Sequence, residues 1–177
     1  MLGGLKGELV SQIYIDAGAD ECPDVRTGVA LAKRAGAVSA YAYLGDVGSS
    51  VTGDKRPQAF EDSYLDALVP YLGQLGFNAV TYMPSRNTPE QLKRLKALCE
   101  ANGLFQISGE DINSPRQSFV CLAARAPEFA NLRAAAYALI GSERAARCDA
   151  EESMFSARSI EKTPSLAMRT EAFAARA

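Results

Sequence analysis

Three short apolar runs, each preceded by a stretch with helical periodicity, constrain the fold of this chain more than any other feature. The runs are AVSAYAYL (37–44), FNAVTYM (77–83) and GLFQIS (103–108). Each is rich in β-branched or aromatic residues and bounded by glycine or polar residues, which predicts strands. Residues 23–36 predict a helix, with Pro23 near its start, Asp24 at the positive end of its dipole, Gly36 closing it, and Val25, Val29 and Ala32 on one face. Residues 59–76 predict a second helix, with Phe60, Tyr64, Leu68, Leu72 and Leu75 at helical spacing; Pro70 inside it predicts a kink or an early stop. The third helix carries the clearest signals: Thr88 as cap, Pro89 in the first turn, Gln91 completing a capping box, and Asn102-Gly103 at the end. A fourth spans 127–142, with Phe129, Leu132, Ala136, Leu139 and Ile140 facing inward, and the Ala/Arg-rich remainder predicts one or two weaker helices broken near Pro164.

The order α-β-α-β-α-β-α predicts an α/β fold with parallel strands joined by right-handed crossovers. An open sheet of flavodoxin type is compatible with the same alternation. Parallel strands end on a common rim, where such folds build their sites. The loops 45–58, 84–88 and 108–118 converge there. They carry Asp46, Asp54, Lys55, Arg56, Ser85, Arg86, Glu110, Asp111, Asn113 and Arg116.

Composition narrows the chemistry. The chain of 177 residues suits one domain, and 47% hydrophobic residues suffice for one core. A net charge of −2 gives no nucleic-acid footprint. No apolar run reaches the length of a membrane span, and MLGGLKGELV lacks the pattern of a signal peptide. The cysteines, Cys22, Cys99, Cys121 and Cys148, form no CxxC pair, so a reducing cytoplasm is expected. The chain contains no histidine. A Ser-His-Asp triad and a histidine-built zinc site are therefore excluded within it.

GSSVTGDK (48–55) fails as a phosphate-binding P-loop, because Asp54 separates the second glycine from Lys55 and no Ser or Thr follows the lysine. PSRN (84–87) precedes a helix N-terminus, where Ser85 and the forked donor of Arg86 suit an anion; the alternative is a plain turn with a solvated arginine. In GEDIN (109–113), an extended backbone puts Asp111 and Asn113 on one side, two oxygens for a hard cation; the alternative is a capped turn.

The rim segments AYLGD (42–46), YMPSRNTPEQLKRLKALCEANGL (82–104) and SGEDIN (108–113) resemble, in order and spacing, the C-terminal half of the PHP superfamily (polymerase and histidinol phosphatase). The middle stretch is the most specific, and the resemblance covers roughly residues 23–120. It implies part of a distorted, TIM-like β/α barrel with parallel strands. The PHP-like domain would span 23–142, after an N-terminal segment 1–22 and before a helical C-terminal extension 143–177. The family includes phosphoesterases with divalent ions at the strand ends. Its histidines fall here at Tyr43, Arg86 and Asn113; Asp111 alone keeps the expected ligand type, and the N-terminal HxH motif has no counterpart.

What the resemblance implies for function is a metal-dependent phosphoesterase with reduced or absent activity in this chain alone. Asp111 would hold Mn²⁺, Mg²⁺ or Zn²⁺, helped by Glu110, Asn113 or Asp46, while Arg86, Ser85, Arg116 and Lys55 would receive the phosphate. The exchange of histidines for Arg86 and Asn113 suits a second reading, a non-catalytic module binding a phosphorylated or carboxylated small molecule. A third is a structural half-barrel. Three parallel strands cannot close a barrel, so self-association or reliance on further N-terminal sequence is expected.

Overall fold

The computed structural model describes residues 17, 18, 20–47, 59–112, 115, 116 and 118–177. Helix α1 (Val25–Arg34) starts on the Asp24 side chain, which accepts the Arg26 N–H, and closes at Gly36 with φ +68°. Strand β1 covers Ala40–Ala42, shorter than its apolar run. A single 3₁₀ turn, Asp62–Tyr64, leads into α2 (Leu65–Leu75), which continues past Pro70, so the early stop does not occur. Then follow β2 (Ala79–Tyr82), α3 (Pro89–Ala101) and β3 (Phe105–Ser108). The capping box of Thr88 and Gln91 is formed on α3. After a 3₁₀ turn at Pro127–Phe129 come α4 (Ala130–Ala146), the short α5 (Ala157–Lys162) and α6 (Leu166–Ala174), with the break at 163–165 around Pro164.

The strands form an open parallel sheet of order β1-β2-β3, with Ala40 opposite Ala79 and Ala79 opposite Phe105. No closed barrel is formed among the described residues. Strand alternation sorts the side chains onto two faces. Val80 and Tyr82, with Tyr43 just beyond β1, join Leu65, Val69 and Leu72 of α2 and Leu92, Leu95 and Cys99 of α3 in one core cluster. On the opposite face, Ala79 and Phe105 meet Ala135 and Ala138 of α4, Met154, and Phe173 of α6. Helix α4 serves both clusters, since Phe129 before it and Leu132 belong to the first. The tail is therefore packed into the second core. No helix among the described residues is long and apolar enough to cross a membrane.

Two helical faces differ from expectation. Helix α1 buries no residue, and Val25 is exposed, so its apolar stripe is only partly covered. On α4 the inward residues are Leu132, Ala135, Ala138, Gly141 and Ser142, whereas Ala136 and Ile140 are exposed. Size-weighted periodicity picks large residues, but the contact with α6 is close and is made with small ones.

Candidate functional site

The rim at the strand ends is built around two acids just ahead of α2. Glu61, 5% exposed, accepts hydrogen bonds from Tyr41 Oη (2.8 Å), the Leu44 N–H (2.8 Å) and the Gly45 N–H (3.1 Å). Asp62 accepts from Tyr43 Oη (2.6 Å), the Asp46 N–H (3.0 Å) and Gln91 Nε2 (2.7 Å). Asp46 in turn accepts the Phe60 N–H at 2.6 Å, and its carbonyl takes a second bond from Gln91 Nε2 at 2.9 Å. Asn87, buried, accepts the Met83 N–H (3.0 Å) and donates to the Leu44 carbonyl (2.9 Å).

Sequence explains why these groups meet. Tyr41 and Tyr43 alternate onto the helix-facing side, so their hydroxyls reach over the start of α2. Gln91 sits in the first turn of α3, caps that helix through its Oε1, and spends its amide on the β1 loop. Gly45, at φ +67°, is the point of closest approach. A Cβ there would lie 2.8 Å from Tyr43 Oη and 2.9 Å from both Asn87 Nδ2 and Gln91 Nε2.

The network fixes protonation. Burial draws the Asp62 carboxyl upward, but the bonds from Tyr43, Gln91 and the Asp46 N–H, with the charge of Arg94, outweigh it and hold its pKa below the ordinary 3.8. Burial first, then the adjacent carboxylates, push Tyr41 and Tyr43 far above the ordinary 10.0. Burial also lifts Tyr82 to about 12.

The tyrosine shifts set a pH dependence. The unfolded chain releases these protons near pH 10 and the folded one only above it, so stability is complete below pH 10 and falls as pH rises. The fall approaches ~1.4 kcal/mol per pH unit for each tyrosine. Urea midpoints at about pH 9 and about pH 11 should separate clearly, and less so in Tyr43→Phe; equal midpoints in the native chain would contradict the burial of these hydroxyls.

Glu110 accepts the Ser85 N–H at 2.8 Å and the Ser85 hydroxyl, tying the β3 loop to the β2 loop. Burial pushes the Cys121 thiol up, and its hydrogen bond to Glu110 pushes the same way. Asp111 and Arg116 are exposed. Arg86 is half-buried, and its Nη2 is buried without a hydrogen-bond partner. Asn113 and Lys55 lie outside the described residues.

Asp46 follows β1 and Asp111 follows β3. Two inter-strand spacings, about 10 Å, lie between those strands. Among the described residues no three of His, Cys, Asp and Glu gather to hold a metal ion. Glu61, Asp62, Asp46 and Glu110 each accept hydrogen bonds from donors of this chain.

Sequence reasoning passed over Glu61, Asp62, Asn87 and the second role of Gln91. The available signal was the adjacent acid pair in FEDSY (60–64), directly ahead of a helix and opposite two alternating tyrosines. Compared with models of protein families, with curated proteins and with solved structures, the chain matches none.

Proposed function

We propose that this chain is a PHP-like β/α domain whose rim binds a small phosphorylated or carboxylated anion directly, without catalysis of its own. One observation carries this reading: Arg86 keeps a buried guanidinium nitrogen with no partner, at the loop between β2 and α3. A buried, unpaired donor on a charged group costs free energy until an acceptor arrives. A phosphate or carboxylate supplies acceptors in the planar geometry a guanidinium prefers. Glu61, Asp62 and Glu110 of the rim are already engaged by hydroxyls and amides of the chain, whereas this nitrogen of Arg86 still wants an acceptor.

The barrel-like parentage rests on the three rim segments, and the sheet order β1-β2-β3 accords with it. The phosphoesterase reading keeps one point in its favour, the exposed carboxylate of Asp111 at the end of β3.

The test is calorimetric titration with phenyl phosphate. Arg86→Gln should weaken binding by about tenfold or more, the loss expected for a charge-assisted pair. Binding unaffected by that substitution would overturn the assignment. Hydrolysis of the same ester with Mn²⁺, abolished by Asp111→Ala, would establish the phosphoesterase reading in its place.

A further inference from the structure

A cleft lies at the other end of the sheet from the rim, where the tail closes on the core. It holds about 410 Å³ between the end of α3, the start of β3, α4 and α6. Its apolar lining includes Leu104, Phe105, Ala134 and Leu166. Its charged lining among the described residues is of one sign: Glu100 from α3 and Glu171 from α6, with no lysine or arginine.

Two of its lining residues, Gln106 and Asn131, share a polar network with the buried Tyr82 behind them. Tyr82 Oη donates to Gln106 Oε1 at 3.0 Å, and Asn131 Nδ2 donates to both Tyr82 Oη and Gln106 Oε1 at 3.0 Å. These bonds use the donors of Asn131 and leave its Oδ1 buried with no hydrogen-bond partner. An acceptor left over in an apolar wall is costly, and it calls for an N–H or O–H donor.

We infer that this cleft binds a small organic amine, a protonated primary ammonium on a short apolar body. The ammonium is all donor and no acceptor, matching the leftover acceptor of Asn131. Its charge is offset by Glu100 and Glu171, and its hydrocarbon part covers Leu104, Phe105 and Leu166. A carboxylate of the same shape meets two like charges instead. The site is independent of the rim, because none of its lining residues belongs to the loops around Arg86.

The experiment is calorimetry of the full chain with phenethylamine, and with 3-phenylpropionate as the anion of matching shape. Phenethylamine should bind at one site and phenylpropionate should not. Ala167→Trp, an exposed α6 position on the cleft wall, should abolish binding by filling the space. The pair Glu100→Gln with Glu171→Gln should weaken it by about tenfold, the sum of two partly screened charge interactions. Equal binding of the carboxylate, no binding of the amine, or full affinity in both variants would overturn the inference.

Discussion

Glu61→Ala should destabilise the fold by about 4 kcal/mol, because it strips an acceptor from three donors at once. Those donors are the Tyr41 hydroxyl and the N–H groups of Leu44 and Gly45. Glu61 is 5% exposed, so water has little access to replace it. Glu61→Gln, which keeps the shape and one acceptor oxygen, should cost about half as much. Urea denaturation at neutral pH measures both. A loss below about 1 kcal/mol in the alanine variant, typical of a surface change, would mean that the acid is not part of the core.

The second large effect is expected at Gly141, in the middle of α4. Replacing glycine by alanine inside a helix ordinarily gains about 1 kcal/mol. Here a Cβ would lie 1.9 Å from the Phe173 carbonyl oxygen and 2.9 Å from its carbon, so α6 must move away. Phe173 is buried against Ala79 and Phe105, and its displacement disturbs the core on that face of the sheet. Gly141→Ala should therefore lose about 3 kcal/mol and lower Tm by about 8 °C. A neutral or stabilising result would show that α6 is loosely attached and that the tail is not a structural part of this domain.

Much of the fold was legible because local chemistry and tertiary packing agree. Thr88, Pro89, Gln91 and Gly103 bound α3 with the residues each position prefers, and Leu92, Leu95 and Cys99 bury the face their spacing indicates. The parallel order followed from alternation alone. What misled was context supplied by distant residues. Helix α1 has an apolar stripe, yet it buries none of its residues. Helix α4 turns a small-residue face inward because α6 approaches it closely, and a partner 32 residues further along is invisible to periodicity.

The site followed the same division. Strand ends placed Ser85, Arg86 and Glu110 on one rim, and Ser85 does meet Glu110. Glu61 and Asp62 escaped notice because acids ahead of a helix ordinarily serve its dipole in solvent. Only the hydroxyls of Tyr41 and Tyr43, reaching across from β1, turn them into core residues. Tyr43, where the resembled family keeps a histidine, is thereby part of the acid network.

In the proposed reading, the rim's acids hold the fold together and its arginine receives the ligand. The most direct test of that reading is the affinity for phenyl phosphate measured twice, once with EDTA and once with Mn²⁺ added. Equal affinity under both conditions is the predicted result. Binding that appears only with Mn²⁺ would contradict it.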